Sequence, residues 1–104
     1  MADLPAIQRG FREGDFRMTV HGAHELTADD LSVRDAVDAI LSNEAEVIED
    51  YATDARGSCC LVAGSIEGGE YIHLVVGYPP TPRIITGYRL KPDEWLDFRT
   101  RRTT

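Results

Sequence analysis

Apolar residues change their spacing once along this chain, near Glu44. Before that point they recur at helical intervals, and after it they alternate or run on continuously, as strands do. Leu4, Ile7 and Phe11 predict a helix over residues 3–13, begun by Asp3-Leu4-Pro5 and ended by Gly14. Phe16, Met18 and Val20 alternate with Asp15, Arg17 and Thr19, the pattern of a short half-buried strand. Thr19 can then cap a helix over residues 20–28, although Gly22 disfavours it. The next helix is clearer. Ser32 with Asp35 forms a capping arrangement, Val33, Ala36, Val37, Ile40 and Leu41 share one face, and Asn43 is a suitable stop.

Four strands are expected after the change of period: Glu46–Ala52, Ser58–Ile66, Tyr71–Tyr78 and Arg83–Leu90. Glu67-Gly68-Gly69-Glu70 is a tight turn that joins the middle two as a hairpin. Pro79-Pro80-Thr81-Pro82 must be a loop, because proline cannot donate to a ladder. Pro92-Asp93-Glu94-Trp95 opens a terminal helix whose Trp95 and Phe98 would dock on the sheet. Helices first and strands after predict an α+β fold. N-terminal helices pack on a four-stranded antiparallel sheet, and a short C-terminal helix follows. The sheet face away from the helices is the natural place for a site. We expect residues 1–14 to be an N-terminal helical extension and residues 15–104 to be one domain.

Composition narrows the function classes. The chain has 104 residues, 42% hydrophobic and 28% charged, which are values of a globular domain with a core of its own. No apolar run is long enough to span a membrane. Met1-Ala2-Asp3-Leu4-Pro5 lacks the basic and apolar regions of a signal peptide, so a cytoplasmic location is expected. Cys59 and Cys60 are adjacent, a spacing that strains a disulfide, which predicts free thiols and agrees with that location. Net charge is −7, the reverse of a domain that grips nucleic acid through many phosphates. Residues 25–54 hold ten acids against the single Arg34, while Arg99, Arg101 and Arg102 make the tail basic. Glu44, Glu46, Glu49 and Asp50 read most simply as charges that protect a sheet edge, and secondarily as a surface for a basic partner.

Seven segments, in this order, carry a resemblance. They are Met18-Thr19-Val20-His21, Leu31-Ser32-Val33, Glu46-Val47-Ile48-Glu49-Asp50-Tyr51, Cys60-Leu61-Val62-Ala63-Gly64, Ile72-His73-Leu74-Val75-Val76, Ile84-Ile85-Thr86-Gly87-Tyr88 and Pro92-Asp93-Glu94-Trp95. Together they resemble the domain-of-unknown-function 4258 family of small bacterial proteins, over roughly residues 16–98. That family is similar to the barnase, EndoU, colicin and RelE group of ribonuclease folds. The resemblance implies a RelE-like α+β domain that is a toxin-like metal-independent endoribonuclease, without a cofactor, or a degenerate relative of one. RNA would be the substrate and an antitoxin or other protein the partner. His21 matches the histidine that begins the family's first helix, His73 the histidine of the third sheet strand, and Tyr88 the aromatic residue closing the fourth. Where the family has basic residues one and two turns after the first histidine, this chain has Glu25 and Asp29.

RNA cleavage of this type needs a base for the 2′-hydroxyl, an acid for the leaving oxygen and positive charge at the phosphate. His21 and His73 are the candidate proton carriers, Tyr88 the assistant, and Arg56, Arg101 and Arg102 the candidate substrate-binding cations. The plain reading makes His73 a hydrogen-bonded sheet histidine, His21 a helix-start residue and Tyr88 a packing residue. A mixed zinc site from His21, His24, His73 and Cys59 or Cys60 is the sharper but weaker alternative. No glycine-rich phosphate loop is present, since Gly68-Gly69 lies in a hairpin. The competing class is a non-catalytic protein-interaction module that keeps the fold.

Overall fold

The computed structural model describes residues 1–53, 55, 57–78 and 80–90. Three helices precede most of the sheet: α1 (Leu4–Arg12), α2 (Val20–Ala28) and α3 (Val33–Leu41), with β1 (Arg17–Met18) between the first two. The remaining strands are β2 (Glu46–Tyr51), β3 (Cys59–Ser65), β4 (Tyr71–Gly77) and β5 (Arg83–Arg89).

Each helix starts where its capping chemistry dictates. The side chains of Asp3, Thr19 and Ser32 accept the backbone N–H of Ala6, Gly22 and Asp35 respectively. Ser32 and Asp35 form a full capping box, which satisfies two otherwise orphaned donors. The hairpin between β3 and β4 turns at Gly68 and Gly69, with φ of 92° and 84°. Side chains avoid that region, so the glycine pair selects this turn.

The sheet corrects the expected architecture. It has five strands in the order β1-β5-β4-β3-β2, and it is mixed. β2 to β5 form the expected antiparallel meander, but β1 adds beside β5 in parallel, Arg17 against Arg83 and Met18 against Ile84. The alternation around Phe16 signalled a strand and carried no information about pairing direction. The strand is short because Thr19 ends it by capping α2, and the Thr19 N–H donates to the Ile84 carbonyl. The predicted C-terminal helix, with Trp95 and Phe98, lies outside the described residues.

The helices whose sheet packing is defined lie on one side. α3 packs on β3 and α2 on β5, while α1 packs on α3. Cys60, Val62, Ile72, Leu74, Val76 and Ile84 point into this layer and join Leu26, Leu31, Ala36, Ala39 and Ile40 in one core. Gly64 lets α3 sit directly on the sheet, since a Cβ there would lie 2.0 Å from the Ala39 carbonyl oxygen. Gly87 similarly makes room for Leu74 and Leu26, whose Cδ2 atoms would be 2.5 and 2.7 Å from its Cβ. The segment expected to be an extension reaches this core as well, through buried Ile7 and Phe11.

Candidate functional site

Cross-strand pairing assigns each sheet side chain to a face. Directly paired residues share a face, and successive residues alternate. Ile72 and Leu74 belong to the helix-side core, so His73 between them points to the other face. His73 pairs with Ala63 on β3 and Tyr88 on β5, and Ala63 pairs with Glu46 on β2. Glu49, Leu61, Val75 and Thr86 form the next cross-strand row. Tyr51, Cys59, Gly77 and Arg83 form the row beyond it.

His73 is fully buried, the only described buried residue that is polar or charged. Its Nδ1 lies 3.4 Å from the Tyr88 hydroxyl, and the two rings meet edge to face with centroids 5.6 Å apart. The tautomer of His73 decides which of the two donates. Glu49 accepts a hydrogen bond from the Tyr51 hydroxyl on the same face. The sheet thus brings together two of the predicted site residues, His73 and Tyr88, by direct strand pairing.

His21 is elsewhere. It stands in the first turn of α2, which packs against β5, with its side chain 66% exposed. Its Nε2 is 3.4 Å from the Glu25 carboxylate one turn on. His21 meets Glu25 on its own helix, while His73 meets Tyr88 on the neighbouring strand. His24 is exposed on the same helix as His21.

Arg56, Arg101 and Arg102 lie outside the described residues. The described arginine on the His73 face is Arg83, which the sequence reading did not single out. Its guanidinium lies against two glycines. A Cβ on Gly77 would come within 2.5 Å of it, and one on Gly57 within 3.0 Å. Alternation along β5 was the signal available in the sequence, but it could not say which parity faced away from the helices.

Glu25 and Asp29, the two departures from the resembled pattern, both have local partners. Glu25 pairs with His21. The Asp29 carboxylate accepts the Arg89 backbone N–H at 2.8 Å. The Arg89 side chain returns to the end of α2, donating from Nε to the Asp29 carbonyl at 2.8 Å and from Nη2 to the Asp30 carbonyl at 3.0 Å. Its Nη1 bonds Glu70 at the hairpin end. A guanidinium here satisfies carbonyls that every helix C-terminus leaves open. Hydrogen bonding to Glu70, with further help from Asp30 and Asp29, pushes its pKa above the ordinary arginine value.

The cysteines also divide between faces, Cys60 toward the helix-side core and Cys59 toward the face of His73. Both are free and buried. Burial pushes the Cys60 thiol up to about 12, with smaller contributions from Asp50 and Cys59, so this sulfur is a core atom rather than a nucleophile. Among the described residues no three His, Cys, Asp or Glu side chains gather as a metal-binding group. No helix among the described residues is long and apolar enough to cross a membrane.

Residues 18–89 match the family described as Domain of unknown function (DUF4258). The chain belongs to the DUF4258 family. The match runs from Met18 at the end of β1 to Arg89 at the end of β5, so α1 precedes it. Neither the curated proteins nor the solved structures contain a match to this chain.

Proposed function

We propose that this DUF4258 domain is a degenerate relative of the toxin-like ribonucleases, a non-catalytic protein-interaction module that keeps the fold. One observation carries the reading. Of the two histidines needed as acid and base, His73 is fully buried beside Tyr88 and His21 is exposed on α2 beside the Glu25 carboxylate. The carboxylates at the positions where the resembled family places cations fit the same reading, because Glu25 and Asp29 are engaged locally. A net charge of −7 opposes polyanion binding and favours a basic protein partner of the antitoxin kind.

A second reading has its own observation, the direct apposition of His73 and Tyr88. In it the face away from the helices is the reactive one of a metal-independent endoribonuclease. His73 and Tyr88 exchange protons with the substrate, and Arg56, Arg101 and Arg102 bind the RNA. Incubation of pure protein with labelled RNA, with and without EDTA, separates the two. The interaction reading expects intact RNA and no toxicity on expression. Cleavage that survives EDTA and disappears in His73→Ala would overturn it in favour of the enzyme.

A further inference from the structure

β3 is buried on both of its faces, at six of its seven residues. Cys60 and Val62, on the helix side, belong to the core that Leu26, Ala36, Ala39 and Ile40 complete. Cys59, Leu61 and Ala63, of the other parity, are buried just as fully. So is His73, which pairs with Ala63, yet none of these four belongs to that core. Neighbouring strands shield a sheet side chain from the sides only. Full burial of both parities needs a layer on each face of the sheet. The burial is that of a single chain, so the second layer is a part of the same chain.

Two segments are in position to supply it. At the Cys59 end, Gly57 of the β2–β3 loop comes against the Arg83 guanidinium, where a Cβ would lie 3.0 Å from Nη2. At the His73 end, β5 finishes at Arg89, next to Tyr88, and residues 91–104 follow from there. Their sequence suits a cover. Pro92-Asp93-Glu94 is a helix start, and Trp95, Phe98, Arg99 and Arg102 recur at the spacing of one helix face. That face is aromatic at its beginning and basic at its end. The cross-strand row beneath has the matching order. From β5 outward it holds Tyr88, His73, Ala63 and Glu46, with Glu49 in the next row of β2. The dimensions agree as well. Three helical residues advance about 4.5 Å, close to the strand spacing of about 4.8 Å. A helix that crosses the strands from Pro92 over β5 therefore reaches β4 near Trp95, β3 near Phe98, and β2 near Arg101 and Arg102.

We infer that residues 91–104 are the second layer and occupy the His73 face of their own chain. They cross the sheet from β5 to β2, seat Trp95 and Phe98 over His73 and Ala63, and pair Arg102 with the carboxylates of Glu46 and Glu49. An arginine–carboxylate pair at the far edge fixes the crossing segment at the end opposite its attachment. Arg102, a candidate RNA contact in the sequence, is then a clasp. This arrangement is compatible with either functional reading and changes what each requires. An RNA must displace the segment to reach His73, and a protein partner meets another surface unless it does the same. RNA cleavage decides between those readings without touching the measurements below, so they succeed or fail separately.

The test uses the full chain and follows His73 and Trp95, the one tryptophan. In native wild type, acrylamide should quench Trp95 roughly fivefold less efficiently than in urea. Diethyl pyrocarbonate should modify the exposed His21 and His24 and leave His73 untouched. Trp95→Ala combined with Phe98→Ala should speed His73 modification on the order of tenfold. Cys60 should stay protected from iodoacetamide in that variant, which shows that the helix-side core is intact. Arg99→Glu with Arg102→Glu should also speed modification, roughly threefold, and adding Glu46→Lys and Glu49→Lys should restore protection. The charge variants keep the test decisive if the aromatic one folds poorly. A native Trp95 as open to acrylamide as in urea overturns the inference. So does His73 protection that survives both sets of substitutions. Protection of wild-type His73 that weakens on dilution overturns it too, since a second copy would then be the cover.

Discussion

Gly64→Ala is the sharpest test of how the helix layer is seated. The added Cβ would stand 2.0 Å from the Ala39 carbonyl oxygen and 2.6 Å from the carbonyl carbon. Both atoms are backbone, so no rotamer change relieves the contact. Ordinary contact needs about 3.5 Å, and α3 must retreat on the order of 1 Å to approach it. A gap of that size forfeits roughly a quarter to a half of the dispersion energy of the atoms that face it. Those atoms belong to Ala36, Ala39 and Ile40, each no more than 1% exposed. Overpacking of this kind costs about 1–3 kcal/mol, and the lost contacts place this case near the upper end. A loss of about 3 kcal/mol should lower the Tm by roughly 12–24 °C in a domain of this size. Urea unfolding followed by circular dichroism, together with a thermal scan, measures both quantities. Gly68→Ala is the control, because it has a positive φ but nothing within 4 Å. It should lose only about 1 kcal/mol. If Gly64→Ala loses no more than the control, α3 does not sit on β3 as described.

Other outcomes follow from the same geometry. His73→Ala should cost about 2–4 kcal/mol in urea unfolding, as truncation of a fully buried side chain does, whereas His21→Ala should stay within about 0.5 kcal/mol. Equal effects would contradict their placement. Asp50 is held below its ordinary value, first by the Ala2 backbone N–H and also by the Tyr78 hydroxyl. A depressed carboxylate stabilises the fold above its unfolded pKa of 3.8, and that stabilisation is lost as pH falls through the lowered folded value. Asp50→Asn should therefore flatten the acid limb of the stability curve below about pH 4, as read by urea midpoints. The Cys60 thiol, pushed up to about 12, stays protonated in the fold after an unfolded thiol has ionised. Stability should fall as pH rises above 9.0, and Cys60→Ser should reduce that slope. At pH 8 iodoacetamide should leave Cys60 unmodified in the native chain and alkylate it in denaturant.

How much of this was legible in the sequence depended on whether the signal was local. Thr19 and Ser32 cap helices because a hydroxyl satisfies a donor two or three residues away, and both helix starts could be read directly. Gly68 and Gly69 fixed the β3–β4 turn in the same way, since positive φ is a property of single residues. The antiparallel order of β2 to β5 followed from short loops, which leave adjacent strands no other arrangement. The pairing of His73 with Tyr88 came within reach of that meander, but its meaning did not. Whether a histidine meets the helices or turns away from them depends on which parity of β4 the helices cover, and residues far away in sequence decide that. For the same reason Arg83 could not be placed on the His73 face from sequence. The sequence by itself determined the elements, the turns and most of the core, because backbone sterics and hydrophobic period act over a few residues. Only the tertiary structure decided the sides of the sheet, the parallel fifth strand and the seating of α1, because each is a contact between segments that no local preference encodes.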